Sequence, residues 1–407
     1  MIPEILSPAG NPEKLEAALR FGADAVYLAG DAFGMRAGAG NFTDDEMRAA
    51  VARAHAAGAK VYVTVNTMPR EYEFPQLVAY LERLRGIRPD ALIISDLGVM
   101  DEAHRRLPEI PLHVSTQASC VNAASLAVWQ RLGACRVVLA RELSLVEIRQ
   151  IRRNAPKDLE LEVFVHGSMC VSWSGRCLLS NYLTGRDGNR GQCAQPCRWN
   201  YTVRQYGIVE EKRPGEMLPI EEDGGETFLL SSKDLCMVDH MNDLLEAGVD
   251  SFKIEGRMKS AYYTAVITNA YRMARDEALA GKPFDPVWMR EVESVSHRTY
   301  GTGYFYADSR RDANVSEQNG YIREKAYLAT VLSYDSESGE ALCIQRNKYT
   351  MGEPMEVLTP GRAGRPLCPK AMYDESHTPI SSAPHPSMKF YLRTGEPVSA
   401  GDILRGV

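Results

Sequence analysis

The stretch Leu161-Glu162-Val163-Phe164-Val165-His166, followed by Gly167-Ser168-Met169-Cys170, joins a strand pattern to a turn that carries a cysteine. Its β-branched and apolar residues predict a strand over Leu159–His166, which ends at the glycine. Six candidate strands precede it, and amphipathic helical stretches separate them: Glu4–Leu6, Ala25–Ala29, Lys60–Asn66, Ala91–Ser95, Leu112–Ser115 and Arg136–Ala140. Strands that alternate with helices in this way predict a parallel sheet.

An eighth strand is predicted at Ser251–Glu255, between the helical stretches Val238–Ala247 and Ala261–Ala280. Eight strand–helix units within residues 1–282 are typical of an α/β protein that forms a TIM-like (β/α)8 barrel. A doubly wound open sheet is the alternative, because the strand pattern alone does not reveal closure.

Three further regions complete the predicted organisation. Residues 168–235 form a cysteine-bearing insertion between strands seven and eight. It follows the carboxyl end of a strand, where the catalytic residues of barrel enzymes are usually found. Residues 283–320 are a transition or linker. Residues 321–407 show short alternating strands separated by turn residues, which predicts a small all-β barrel domain at the carboxyl terminus.

The composition of the chain restricts the classes of function that it can have. The 407 residues carry a formal charge of −6, so any contact with nucleic acid would use a local basic patch. The chain opens without the charged and apolar regions of a signal peptide, and no run approaches the roughly 20 apolar residues of a membrane span. Nine cysteines in such a chain predict reduced thiols, a cytoplasmic location and no membrane partner.

Five of those cysteines crowd into and just after the insertion: Cys170, Cys177, Cys193, Cys197 and Cys236. Clustered thiolates outside an oxidising compartment are typical of a metal or an iron–sulfur site. The paired C-x₂-C knuckles of a zinc ribbon are missing from this spacing. An iron–sulfur cluster is therefore the better match, while zinc and ordinary free thiols stay open as alternatives.

Polar residues at the carboxyl ends of the predicted strands should meet at one barrel mouth. His166, Glu255 and Arg257 are the candidate catalytic residues, although a rim histidine and an ion pair of Glu255 are the plainer interpretations. Arg257 and Lys259 stand beside a helix amino end, which suits a carboxylate or phosphate ligand. The other candidate substrate-binding residues of the mouth are Arg36, Asn66, Gln117, Arg141 and Lys253.

One basic and aromatic cluster lies within the insertion. Arg186, Arg190 and Arg198 alternate there with aromatic residues that include Trp199. Such side chains are suited to hold an RNA backbone and to stack an extruded base. Surface arginines around a metal-binding loop are the competing interpretation.

The run Glu162–Cys170 and the run Gly175-Arg176-Cys177-Leu178-Leu179-Ser180 together resemble the signature of the collagenase-like peptidase family U32. The opening Leu6-Ser7-Pro8-Ala9-Gly10 and the run Lys253–Ser260 are similar to that family as well. The resemblance extends from the first residues through the β-rich tail.

This resemblance implies an oxygen-independent hydroxylase of RNA, most similar to the branch that forms 5-hydroxyuridine at the wobble position of tRNA. It also implies prephenate, a small dicarboxylate, as hydroxyl donor. A 4Fe-4S cluster is implied on Cys170, Cys177, Cys193 and Cys236, with Cys197 as the alternate to Cys193 and iron–sulfur assembly machinery as a further partner. A collagenase-like peptidase and a non-enzymatic, cluster-bearing RNA-binding factor are the competing hypotheses.

Overall fold

The structure is a computed structural model. It describes residues 2–35, 40–170, 172–198, 232–306, 322 and 325–407, together with four short strands between residues 208 and 228. None of the helices in these ranges combines the length and the hydropathy that a membrane crossing requires.

The strands, in chain order, are β1 (Glu4–Pro8), β2 (Ala25–Leu28), β3 (Lys60–Val65), β4 (Ala91–Ile94), β5 (Leu112–Val114), β6 (Ala134–Val138), β7 (Glu160–Ser168), β8 (Ile208–Val209), β9 (Met217–Leu218), β10 (Glu221–Asp223), β11 (Glu226–Phe228), β12 (Asp234–Cys236), β13 (Ser251–Ile254), β14 (Tyr300–Gly301), β15 (Tyr327–Asp335), β16 (Glu340–Gln345), β17 (Tyr349–Thr350), β18 (Met355–Leu358), β19 (Arg365–Leu367), β20 (Ala371–Tyr373), β21 (Ser382–Ala383), β22 (Lys389–Arg393) and β23 (Ile403–Gly406).

The α-helices are α1 (Pro12–Arg20), α2 (Asp44–Ala56), α3 (Phe74–Ile87), α4 (Leu97–Arg106), α5 (Ala123–Arg131), α6 (Leu145–Asn154), α7 (Leu179–Thr184), α8 (Met241–Glu246), α9 (Ala261–Leu279) and α10 (Val287–Glu293). The starts of six helices follow from the sequence, because a polar side chain caps a free backbone amide in the first turn of α1, α2, α4, α5, α6 and α9. Thr43 with Glu46 and Ser144 with Glu147 form complete capping boxes on α2 and α6.

Eight parallel strands close into a barrel. Strands β1 to β7 pair in chain order, and β13 then pairs with both β7 and β1. Ser251 is registered against Glu4 on one side and against Glu162 on the other. The TIM-like barrel is therefore confirmed, and the open doubly wound sheet is wrong, because β13 leaves neither β1 nor β7 as a free edge.

Strand β7 extends beyond the barrel and carries a second small ladder. Strand β12 pairs with it in antiparallel fashion, with Cys236 opposite His166, and β14 pairs with β12. The sequence pattern did not reveal this extension, because two- and three-residue strands show no clear periodicity. The pairing of β12 with β7 attaches the end of the cysteine-bearing insertion to the barrel.

The carboxyl-terminal domain is an antiparallel half-barrel. Its sheet runs in the order β19-β18-β23-β15-β16-β22-β20, and most of its buried hydrophobic residues form a core of their own. Leu358 and Ile403 instead pack with the core of the barrel. The all-β prediction for this region is confirmed. Residues Trp288, Val292, Val295 and Phe305, from the segment predicted as a linker, instead pack within the core of the barrel.

A buried arginine joins the two domains. Arg405 on β23 is 0% exposed and donates two hydrogen bonds to Glu291 of α10, at 2.8 and 2.7 Å. It also donates to Glu356 of β18 at 3.0 Å. Burial alone would lower the pKa of Arg405, but its hydrogen bonds and charges with the two carboxylates raise it, so the guanidinium stays charged.

We expect Arg405→Ala to lower the free energy of unfolding by about 3–5 kcal/mol, because it leaves Glu291 buried without its partner. Arg393→Ala, which removes a half-exposed pair with Glu340, is the matched control and should cost about 0–1 kcal/mol. Urea denaturation followed by circular dichroism measures both. Equal small losses in the two variants would contradict a stabilising role for the Arg405 contacts.

Candidate functional site

A large cavity lies at the carboxyl end of the barrel strands. Its volume is about 870 Å³, and loops of the barrel, the insertion and the carboxyl-terminal domain all contribute to its wall. The polar and sulfur-bearing residues that line it include Gln117, Arg141, Cys170, Cys177, Cys193, Cys197, Glu255, Lys259, Lys325 and Asn347. A cavity of this size and position is typical of the active site of a barrel enzyme.

Four of the nine cysteines line this cavity: Cys170, Cys177, Cys193 and Cys197. None of these four is part of a disulfide bond. In the described part of the chain, no three histidine, cysteine or acidic side chains already stand close enough to hold a metal ion. A donor set made only of thiols nevertheless matches the chemistry of an iron–sulfur cluster, which thiolates hold.

Contacts within the insertion shape the loops that carry these thiols. Asn189 donates to the carbonyl oxygen of Cys177 at 3.0 Å, and the backbone amide of Gln195 donates to Cys193 Sγ at 3.4 Å. Ser180 Oγ accepts from the amide of Ala194 at 3.0 Å, which links α7 to the segment between Cys193 and Cys197. These contacts connect the loop segments that carry Cys177 and Cys193.

The loop from Cys170 to Cys177 is held against the barrel mouth. Glu142, at the end of the sixth strand–loop unit, accepts from the backbone amide of Ser174 at 2.8 Å. Gly175 has a φ of +73°, and a Cβ there would lie 2.2 Å from the carbonyl oxygen of Gln117. Only glycine permits both this backbone conformation and this close approach.

Cys236 has a different environment. It lies on β12 with 4% of its surface exposed, packs in the barrel core and does not line the cavity. The Tyr271 hydroxyl donates to the carbonyl oxygen of Val165 at 2.7 Å and lies 3.9 Å from Cys236 Sγ, and burial raises the pKa of this thiol to about 12. This pKa describes the metal-free protein, because a metal that binds a thiol displaces its proton.

Arg141 places a positive charge beside the cysteines. Its guanidinium donates to the carbonyl oxygen of Ser168 at 3.1 Å and lies 5.3 Å from the centre of the Phe164 ring. Burial alone would lower the pKa of Arg141, but the nearby Cys170 and Glu255 raise it. Its Nε is buried without a hydrogen-bond partner among the described residues. Arg141 is therefore a cation at the cavity wall whose Nε can donate a further hydrogen bond.

A smaller cavity of about 50 Å³ lies deeper in the barrel mouth and shares Gln117 and Glu255 with the large one. Five predicted site residues line it: Asn66, Gln117, Lys253, Glu255 and Arg257. Lys253 is held by Glu162 at 2.7 Å, and Arg257 donates to the carbonyl oxygen of Met35 and to Thr64. These contacts explain the burial of Lys253 and Arg257 and tie both cations into the barrel.

His166 lines neither cavity. It is 1% exposed and lies between Tyr271, whose hydroxyl is 3.3 Å from Nδ1, and Tyr300, whose hydroxyl is 3.5 Å from Nε2. Burial lowers the pKa of His166 to about 3, so the ring is neutral at ordinary pH. This setting makes His166 part of the packing behind the site, and we assign it no step of the chemistry.

The remaining predicted residues are distributed around the rim. Lys259 lines the large cavity and donates to the carbonyl oxygen of Ser296 at 3.2 Å. Arg190 forms an ion pair with Glu73, and Arg186 is exposed on the insertion. Arg36, Trp199 and the side chain of Arg198 lie outside the described residues.

Several residues that line the large cavity were not predicted from the sequence. Trp173 and Met258 are each 49% exposed on the cavity wall, and Tyr327 reaches it from the carboxyl-terminal domain. Trp173 lies between Cys170 and Cys177, so its position inside the cysteine pattern was an available signal. Tyr327 offered no such signal, because only tertiary packing brings β15 to the barrel mouth.

Comparisons with known proteins agree with this architecture. The family model for peptidase family U32 matches residues 10–314, and the model for the U32 C-terminal domain matches residues 323–405. The chain is 36% identical over 392 residues to "tRNA hydroxylation protein P" of Escherichia coli, which covers 88% of this chain and 86% of that protein.

Two other relatives carry different names. "tRNA hydroxylation protein P1" of Bacillus subtilis is 34% identical and covers 99% of this chain and 94% of its own length. A protein named "Collagenase" from Porphyromonas gingivalis is 31% identical and covers 88% of this chain and 86% of its own length. On the two family models and these identities, the chain belongs to peptidase family U32, with both the barrel and the carboxyl-terminal domain of that family.

Proposed function

We propose that this protein is an oxygen-independent RNA hydroxylase that forms 5-hydroxyuridine at the wobble position of tRNA. One observation carries the proposal: a single cavity at the barrel mouth combines four thiols, the cations Arg141 and Lys259, and the half-exposed Trp173. The names of the Escherichia coli and Bacillus subtilis relatives support the same reaction class.

The same cavity would hold a 4Fe-4S cluster on Cys170, Cys177, Cys193 and Cys197, loaded by iron–sulfur assembly machinery. The resemblance implies instead Cys170, Cys177, Cys193 and Cys236; Cys197 lines the cavity while Cys236 is buried in the core, and the ligand test below distinguishes the two sets. When bound, the cluster supplies redox capacity at the cavity wall. Zinc on the same thiols is the alternative that metal analysis distinguishes.

The basic residues of the cavity would hold the hydroxyl donor. Prephenate carries two carboxylates, and the guanidinium of Arg141 is suited to a bidentate contact with one of them. Lys259 would act as a point charge for the other carboxylate. Contacts at both carboxylates would orient the donor toward the base. Reactants held in the correct geometry react faster than reactants that meet by diffusion.

Trp173 would receive the target base. Enzymes that modify a base act on a nucleotide that has left its stack, and aromatic side chains replace the lost stacking partners. A half-exposed tryptophan next to the thiols meets that need, and the cavity of about 870 Å³ has room for a nucleoside beside a small acid. Gln117 and Glu255 line the same space and offer hydrogen bonds to the base edge.

The direct test is complementation in a bacterial strain that lacks tRNA wobble 5-hydroxyuridine. We expect the wild-type protein to restore the modified nucleoside, as measured by mass spectrometry of digested tRNA. Cys177→Ser should fail because it removes a cavity thiol, whereas Cys135→Ser, a change at an exposed cysteine remote from the cavity, should restore it. Peptide cleavage by the anaerobically purified protein, without any restored nucleoside, would favour the peptidase hypothesis instead.

The choice of ligands has its own test. After anaerobic purification, we expect Cys197→Ala to lose most of its iron, sulfide and visible absorption. Cys236→Ala should keep them, because the structure places this thiol in the core. Cys135→Ala serves as the control for changing a cysteine as such. Loss of iron from Cys236→Ala at unchanged folding, with iron retained by Cys197→Ala, would reverse the assignment.

Arg141→Lys should lower kcat/KM for the donor about 10- to 100-fold, since it keeps the charge but removes the bidentate contact, a loss of about 1.5–3 kcal/mol. Steady-state kinetics at varied prephenate concentration measure this. Arg149→Lys, on the exposed face of α6, is the matched control. If the rate of Arg141→Lys depended on prephenate concentration as the wild-type rate does, Arg141 would not be part of the donor site.

A further inference from the structure

A second cavity of about 460 Å³ opens on the same rim as the first. The loop after β2, the beginning of α3 and the insertion form its wall. The insertion separates the two cavities: Asn189 and Cys193 line the first, while Arg190 and Gln192 line the second. Neighbouring residues of one short segment therefore face both spaces, and the proposed reaction does not use the second one.

Two buried polar atoms of this cavity have no hydrogen-bond partner among the described residues. They are the hydroxyl of Tyr80, a residue that is 1% exposed, and Oδ1 of Asn41. Tyr80 lies against Gly30, where a Cβ would stand only 2.4 Å from its hydroxyl oxygen. An unpaired buried polar group costs free energy in the folded protein, so its retention at a cavity indicates a ligand that completes it.

The backbone of the same cavity is strained at Phe33. Phe33 and Asn41 both line it, and their φ angles are +53° and +47°. A bulky aromatic residue in the left-handed region is a conformational outlier, and such outliers cluster where ligands bind. Phe33 also contacts the ring of Tyr80, with a centroid distance of 5.8 Å, so an aromatic surface borders the unpaired hydroxyl.

The charges of the cavity indicate the class of ligand. Arg83 is paired with Asp31 at 2.9 Å, and Arg190 is paired with Glu73. With these cations already paired with carboxylates, the cavity is poorly suited to a phosphate or a metal ion. The side chains of Gln76 and Gln192 each offer both a donor and an acceptor, which matches an uncharged, flat ligand with polar edges.

We propose that this second cavity binds the base of a nucleotide that neighbours the target uridine in the same RNA. The proposal rests on the proposed function, because it supplies the second contact of an RNA whose target base enters the first cavity. Single-stranded RNA is read in this way, by aromatic stacking and by hydrogen bonds to exposed base edges. A volume of about 460 Å³ is sufficient for one nucleobase with its sugar.

The test pairs protein variants with abasic RNA. The probe is an anticodon stem-loop that contains the target uridine, and abasic sites replace the nucleotides on either side of it, one at a time. The protein variant is Tyr80→Phe with Gln76→Ala; it removes the buried hydroxyl, which also contacts the Gly30 backbone, and an exposed amide. Tyr334→Phe with Gln150→Ala, at sites remote from both cavities, is the matched control.

We expect one abasic position to weaken binding to the wild-type protein about 10-fold, within the range for loss of a stacked base. The Tyr80→Phe/Gln76→Ala protein should show a similar loss with intact RNA and little additional loss with that abasic RNA. The control protein should behave as wild type. Thermal melting of the Tyr80→Phe/Gln76→Ala protein separates a loss of RNA binding from a loss of stability, because the Tyr80 hydroxyl also contacts the Gly30 backbone.

The outcomes separate the two proposals. One outcome is that the protein binds and hydroxylates the RNA, but the loss of affinity caused by the protein variant multiplies with the loss caused by the abasic site at every flanking position. The second cavity then does not hold a base, and this inference is overturned. If millimolar free nucleoside binds the cavity while abasic RNA binds as well as intact RNA, the ligand is a small molecule and the inference is likewise overturned. Absence of any RNA binding or hydroxylation would overturn the proposed function itself.

Discussion

The pairing of β13 with both β7 and β1 is the constraint on which the site depends. It closes the barrel and also sets the end of β13 beside the end of β7, where the amide of Glu255 donates to the carbonyl oxygen of His166 at 2.9 Å. Gly167 permits this approach, because its φ is +109° and a Cβ would lie 2.6 Å from the Glu255 carbonyl oxygen. The chain that leaves this contact leads directly to Cys170, and so the closure of the barrel also positions the first thiol.

Charge inside the barrel supports the same closure. Glu162 on β7 is fully buried between Lys253 on β13, at 2.7 Å, and Arg136 on β6, at 3.2 Å. Burial alone would raise the pKa of Glu162, but the two cations lower it, and the carboxylate stays ionised. Buried ion pairs of this kind add little net stability, yet removal of one partner is costly. They therefore favour one arrangement of the strands over its alternatives.

The insertion divides its residues between two spaces with different chemistry. One has thiols and an arginine with an unpaired Nε, while the other has amides and mutually paired charges. The carboxyl-terminal domain adds Tyr327 and Asn347 to the first space, and the Arg405 contacts hold that domain to α10. Site and domain arrangement are thus coupled, because a wall of the cavity belongs to a separately packed domain.

The sequence by itself determined the alternation of strands and helices, the β-rich tail and the clustering of cysteines, because hydrophobic periodicity and local spacing are properties of contiguous residues. Closure of the barrel was decided by the pairing of β13 with β1 and β7, which are distant from each other in the chain. The sequence also indicated that Asn66, Gln117, Glu255 and Arg257 would meet, since strand ends converge once a barrel is assumed. Only the tertiary structure decided which cysteines share a cavity. Cys236 and Cys197 are equivalent as thiols in the sequence, but β12 turns one into the core while the insertion leaves the other on the cavity wall. Burial and pairing depend on residues distant in the chain, and no local pattern records them.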